Sequence, residues 1–263
     1  MKILVTGGMG YIGTNLHAAI PQMVMRSITF RGAKLELVDY DMLNGFNVLN
    51  AEQLFDAIRE VDGVIHLAAV SGIVDCEKEP GHATKVNVDG TCMASGFATG
   101  LNKPFVLASS FAAESPSNVY GYTKKLAEAV VLKNRGVVCR LSNVYGGLEY
   151  LTRKSSVVSY LKKCQEKGEV PELHDEGMHT RDFIHVVDAC HGLVEALRMS
   201  SGIYKICTGK LTSVANLAKL MGFKHLKSIP MPEDRKPQPI PVQDLPGWKP
   251  EISLEEGLKM VMD

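Results

Sequence analysis

Tyr120 and Lys124 stand four positions apart in Tyr120-Gly121-Tyr122-Thr123-Lys124. If the segment is helical, a phenol and an ammonium share one face and can work together as a base. A helical pattern does follow, with Leu126, Ala127, Val130 and Val131 on one side. A free tyrosine has a pKa near 10, so acting near neutrality requires a drop of ~3 units, or ~4 kcal/mol. One cation at ~5 Å in an effective dielectric of ~20 supplies about 3 kcal/mol. Lys124 and a second positive charge therefore suffice. Ser110 lies just upstream, after the apolar run Phe105-Val106-Leu107, where its hydroxyl can hold a reacting oxygen. Spacing alone decides nothing, because eight tyrosines and twenty lysines in 263 residues give about 0.6 chance matches. A second match, Tyr150 with Lys154, exists. Tyr150 has no strand-end hydroxyl before it and opens no comparable helix, so Tyr120 is the candidate base.

A second cluster could bind rather than react. Thr6-Gly7-Gly8-Met9-Gly10-Tyr11-Ile12-Gly13 follows an apolar run and opens a helical pattern. Gly8, Gly10 and Gly13 satisfy G-x-G-x-x-G, and Gly7, Gly10 and Gly13 satisfy G-x-x-G-x-x-G. Glycines permit a tight turn and close approach of backbone to a pyrophosphate. The N–H groups at Tyr11, Ile12 and Gly13, and the helix dipole, favour an anion there. Asp39 ends the second apolar run, where its carboxylate can accept hydrogen bonds from an adenosine ribose. Asp41 follows and no arginine stands nearby for a 2′-phosphate, which favours NAD over NADP.

These residues need elements to hold them. Ile3-Leu4-Val5, Leu35 to Val38, Val64 to Leu67, Phe105 to Leu107 and Val137 to Leu141 read as buried strands, alternating with helical patterns. This implies an α/β protein, a Rossmann-type doubly wound parallel sheet with a small C-terminal substrate-binding lobe. The expected division is 1–147 with 183–207 returning to it, against 148–182 and 208–263. In the latter part, one helix is expected from Val157 to Lys167 and one strand over Ile203 to Ile206. Seven prolines between 228 and 250 argue against regular structure there. The composition is that of a globular chain, with 45% hydrophobic and 22% charged residues. Lys plus Arg and Asp plus Glu each number 29, so no basic footprint recommends nucleic acid or an anionic membrane as partner. The longest mainly apolar run, Val64 to Val74, is far short of a spanning helix, and no signal-peptide pattern opens the chain. Six scattered cysteines without a Cys-x-x-Cys pair read as reduced thiols of a cytoplasmic protein. No metal site is expected, since His174, His179 and His185 lack ligand spacing and His66 reads as a strand-end histidine.

In these motifs the chain resembles the extended short-chain dehydrogenase/reductase family, in particular NAD-dependent nucleotide-sugar epimerases and dehydratases. The resemblance includes His66-Leu67-Ala68-Ala69, Asn87-Val88-Asp89-Gly90-Thr91, Arg140-Leu141-Ser142-Asn143-Val144-Tyr145-Gly146, Arg181 to Asp188 and Gly247-Trp248-Lys249-Pro250. It implies a role at each matching position. Asn47-Val48 resembles the segment beside adenine, with Asn in place of the usual Asp. Leu67, Ala68 and Ala69 would lie along the nicotinamide half, and Asn87 at a turn near the cofactor. Lys124 would also hold the nicotinamide ribose. Asn143, Arg181 and Arg235 would meet the diphosphate of a nucleotide sugar. Family members usually form homodimers through two helices, and the patterns at 87–100 and 119–134 fit those.

The departures bear on the reaction. Phe111 and Ala112 follow Ser110, where 4,6-dehydratases carry Asp-Glu and related decarboxylases a Glu. The segment from Ser110 to Tyr120 is short and the C-terminal lobe trimmed. The leading expectation is an NAD-dependent nucleotide-sugar 4-epimerase working through a transient 4-keto sugar. The alternative is an NAD(P)-dependent dehydrogenase or ketoreductase on a keto-sugar or other hydroxyl substrate. A non-catalytic dinucleotide sensor fits less well, because it needs no base.

Overall fold

A computed structural model of the chain describes residues 1–25, 35–148, 156–230 and 242–262. The elements are β1 (Lys2–Thr6), α1 (Tyr11–Met25), β2 (Glu36–Tyr40), α2 (Ala51–Arg59), β3 (Gly63–His66), α3 (Ile73–Lys78), α4 (Pro80–Thr84), α5 (Thr91–Gly100), β4 (Phe105–Ser110), α6 (Val119–Lys133) and β5 (Val137–Leu141). They continue as β6 (Asn143–Tyr145), α7 (Val157–Lys167), β7 (Glu172–His174), β8 (Thr180–His185), α8 (Val186–Ala196), β9 (Gly202–Ile206), β10 (Leu211–Ser213), α9 (Val214–Leu220), β11 (Lys227–Ile229) and α10 (Leu254–Met262). Two compact units result, Met1–Leu141 with Cys190–Tyr204, and Ser142–Ala189 with Lys205–Asp263. The break thus falls at Leu141, where the sequence suggested 147, and the return begins at Cys190 rather than 183. The reason is that β6 and β8 pair with each other in a sheet of their own.

The first unit is built on a six-stranded sheet in the order β2-β1-β3-β4-β5-β9, with β2 through β5 parallel. The chain steps outward from β1 to β2, then crosses back over β1 to β3. That reversal opens a crevice at the carboxyl ends of β1 and β3, where open α/β sheets bind ligands. The strands are apolar because both faces are covered: Ile3, Leu4, Val5, Val64, Ile65 and Val106 are almost wholly buried. In α2 the buried Leu54 and Ile58 are one turn apart, and the Asn50 side chain caps the start by accepting from Gln53 N at 3.2 Å. They join Ala94, Ala98, Ala127 and Val131 of α5 and α6 in one core.

The second unit holds the sheet β10-β8-β6 and the parallel pair β11-β7. Its core gathers Leu161, Phe183, Leu217 and Leu258. The helix expected from Val157 to Lys167 is present with those ends, capped by Ser156. The short strands β6, β7, β10 and β11 were not expected. Each spans three residues, too few for a period to show. Two motif aspartates serve as clamps here. Buried Asp182 accepts from Thr208 N at 3.1 Å, Thr208 Oγ1 at 2.6 Å and Lys210 N at 3.1 Å. Asp188 accepts from Glu251 N and Ile252 N. His185 ends β8 and packs edge-on against Tyr145; burial pushes its pKa down to about 4.

Candidate active site

Three strand ends of the first unit meet at the glycine turn. Gly7 N donates to Tyr40 O at 2.9 Å, joining the ends of β1 and β2. Gly7 has φ +69°, and a Cβ there would lie 2.7 Å from Ala68 N. Only glycine allows both the left-handed backbone and that approach. Gly13, in the first turn of α1, is needed because a Cβ would run into the Gly8 carbonyl. The turn therefore packs against the Leu67–Ala69 loop and directs the first N–H groups of α1 outward, an arrangement suited to a pyrophosphate. Both carboxylates singled out in the sequence lie against this turn. Asp39 Oδ1 pairs with His17 Nε2 at 2.8 Å and abuts Gly8, and Asp41 Oδ2 accepts from Met9 N at 3.1 Å. His17 was not foreseen, since nothing in its local pattern distinguishes it.

The candidate base and its partners assemble at the carboxyl end of β4. Asn118 caps α6 by accepting from Gly121 N at 2.9 Å, and Glu77 of α3 accepts from Val119 N at 2.9 Å. This fixes the first turn of the helix, where Tyr120 lies. The Tyr120 phenol hydrogen-bonds the Ser110 side chain, and Lys124, 4% exposed, donates to Ala108 O at 2.7 Å. Burial pushes the Tyr120 pKa above its ordinary value of 10.0; the Ser110 bond pulls it down, and the nearby Cys76 thiol pushes it up. Burial lowers Lys124 to about 8, against the upward pull of Glu128 and Cys76. The protein alone thus does not bring the phenol toward neutrality, and the second positive charge anticipated from the sequence carries most of that burden.

Behind the pair runs a buried polar chain. The Thr91 hydroxyl donates to Asn87 O at 2.7 Å, so its oxygen accepts from His66 Nε2–H at 3.1 Å. His66 Nδ1 then accepts from the Thr6 hydroxyl at 2.7 Å, and Thr6 Oγ1 accepts from Ala68 N at 3.3 Å. Burial and the Lys124 charge push His66 down to about 3, so the ring is neutral with both nitrogens engaged. Asn87 lies in a π-helical stretch over Lys85–Gly90, not at a turn. Its side chain is committed to Val70 N at 2.8 Å, Val70 O at 3.0 Å and Thr123 Oγ1 at 3.0 Å. It therefore braces the loop after β3 against α6. The Asn47 side chain accepts from Leu49 N at 2.9 Å, and Val48 is a core residue packed on Gly90.

In the second unit Asn143 of β6 donates to Asp182 O at 3.0 Å, and Arg181 of β8 donates to Thr180 O at 2.8 Å. These two candidate phosphate contacts thus sit on adjacent strands. Arg235, and the alternative pair Tyr150 and Lys154, lie outside the described residues. All six cysteines are free thiols, five of them buried. Among the described residues no group of three or more His, Cys, Asp or Glu could hold a metal ion, and no helix is long and apolar enough to cross a membrane.

The architecture is that of a Rossmann-type short-chain dehydrogenase/reductase. Residues 3–207 match the NAD dependent epimerase/dehydratase family, and the chain belongs to it. The family's description names the cofactor, NAD, that the glycine turn and Asp39 suggested. A Methanocaldococcus jannaschii protein named "Putative UDP-glucose 4-epimerase" is 27% identical over 99% of this chain and 97% of its own length. UDP-glucuronic acid decarboxylase 1 of Danio rerio is 24% identical over 98% of this chain and 71% of its own. Among solved structures, the UDP-glucose 4-epimerase of Thermotoga maritima with UDP-glucose superposes with a TM-score of 0.83 at 23% identity, covering 100% of this chain and 97% of that one.

Proposed function

We propose that this chain is an NAD-dependent nucleotide-sugar epimerase acting at the sugar C4. The observation that carries the reading is the Tyr120 phenol bonded to Ser110, one helical turn from a buried lysine, beside a glycine turn built for a pyrophosphate. In this reading Tyr120 removes the proton of the C4 hydroxyl while Ser110 holds the same oxygen. Lys124 stabilises the phenolate and binds the nicotinamide ribose. NAD supplies a hydride acceptor whose positive ring lowers the phenol pKa and which returns the hydride to the other face of the 4-keto sugar. The cycle is redox-neutral. The carboxylates of Asp39 and Asp41 against the glycine turn favour NAD over NADP, since both repel a 2′-phosphate.

Phe111 and Ala112 close β4 with a short turn that holds no acid, and Ala112 N donates to Ser110 Oγ at 3.2 Å. That favours epimerisation over elimination or decarboxylation, both of which need a further proton-transferring group. Asn143 and Arg181 are the proposed diphosphate contacts, and the expected assembly is a homodimer. Purified chain incubated with UDP-glucose and no added cofactor should yield UDP-galactose by proton NMR, with dTDP- and GDP-sugars screened alongside. Steady consumption of added NADH with a keto-sugar, and no epimerisation, would replace this reading with the reductase.

A further inference from the structure

We propose that Glu128 is a positioning residue of the Tyr120–Lys124 pair: docked by Ser109 and Arg140 one turn beyond Lys124, its carboxylate keeps that lysine an ammonium. The inference rests on the reading of Tyr120 and Lys124 as a working pair and extends it to groups outside the motif. Tyr120, Lys124 and Glu128 follow one another at four-residue steps on α6, so they share one stripe of the helix. That stripe faces the sheet, and Lys124 and Glu128 are 4% and 2% exposed. Each docks on the last three residues of β4: Tyr120 on the Ser110 hydroxyl, Lys124 on the Ala108 carbonyl, and Glu128 on the Ser109 hydroxyl at 2.6 Å.

Glu128 cannot turn away. Ser109 and Arg140 are register partners on β4 and β5, and both bind it. Arg140 Nε donates to Oε1 at 2.9 Å and Nη2 to Oε2 at 2.8 Å, a two-pronged grip. Arg140 Nη1 also lies 3.5 Å from Glu114, which balances the guanidinium on its far side. The ion pair is thus a fixed dipole with its negative end toward Lys124. A buried ion pair contributes little net stability over an apolar pair of similar volume, so packing alone is a weak reason for this one.

The other groups facing Lys124 cannot replace Glu128. From β3, His66 is neutral; from α3, Cys76 presents a buried thiol donating to Val70 O at 3.3 Å; from β4 come only a carbonyl and a hydroxyl. Burial works to strip the lysine of its proton, and Glu128 is the first charge opposing it.

The test is the double variant Glu128→Gln with Arg140→Met. Glu128→Gln alone leaves a buried guanidinium unpaired and is expected to unfold, whereas the double variant removes both charges and preserves bulk. NMR of the lysine side chains in labelled full-length protein, with Lys124→Met to assign the signal, follows the titration directly. We expect the Lys124 midpoint to fall by about one pH unit or more in the folded double variant. The parent-to-variant rate ratio should then rise with pH, approaching about tenfold per unit above the variant's midpoint. An unmoved Lys124 midpoint, or a rate ratio constant across pH, would overturn the proposal. Because the titration needs no substrate, absence of epimerisation by the parent protein would count against the proposed reaction and leave this result standing.

Discussion

At Tyr120 burial works against the chemistry. A phenolate in this pocket is less stable than in water, and one hydrogen bond from Ser110 does not reverse that. A bound cation must do so, which ties proton removal to the presence of oxidised cofactor. Tyr120→Phe keeps the ring and removes the acidic oxygen, so turnover should drop at least ~10³-fold while NAD still binds by calorimetry. Full turnover in that variant would remove Tyr120 from the mechanism. His66 gives a second expectation. Its folded pKa lies near 3, well below the model value of 6.5, so the unfolded chain binds the extra proton between those values. The stability it allows is complete above pH 6.5 and is lost as pH falls toward 3, by about 1.4 kcal/mol per unit. Buried His185 acts with the same sign. Urea unfolding from pH 7 to 4.5 should show this slope, and His66→Asn should flatten it although its plateau stability is lower.

Among the elements, the glycine turn has the least tolerance. Gly7→Ala would force a side chain into a left-handed backbone and against Ala68 N, which is backbone and cannot yield. We expect a loss of about 1–3 kcal/mol in chemical denaturation and no detectable NAD binding. Normal affinity in that variant would mean that the turn does not cradle the cofactor. The turn was legible because glycines at fixed offsets between a strand and a helix have a mechanical reason to be there. The long strands and α2, α6 and α7 were legible from apolar period. The strand β4 reaches Ser110, as the hydroxyls at its end suggested. The polar stripe of α6 was half legible: Tyr120 and Lys124 carried a motif, whereas Glu128 looked like one more helix acid. Its four-residue spacing from Lys124 was the available signal. What the spacing could not show was Arg140 arriving from β5.

On the scale of the whole molecule, α6 leaves Tyr122 56% and Leu126 53% exposed on one side while burying its reactive stripe on the other. Such a face suits a homodimer, as the resemblance to dimeric relatives implies. Light scattering should give twice the chain mass, and Leu126→Glu should shift it toward one chain; a monomeric parent protein would dispose of the homodimer. The 27% identical relative aligns over 303 positions against 263 residues here, so such relatives carry insertions that this chain lacks. The short segment between Ser110 and Tyr120 belongs with that trimming. From the sequence alone came the parallel sheet, the nucleotide turn and the phenol–lysine pair, because period, glycine offsets and helical spacing are local properties. The pairing of Asp39 with His17, the commitment of Asn87 to Val70 and Thr123, and the Ser109–Glu128–Arg140 clamp were decided only in three dimensions. Each joins residues from different elements, and the desolvation that sets their charges exists only once the sheet and its helices have closed around them.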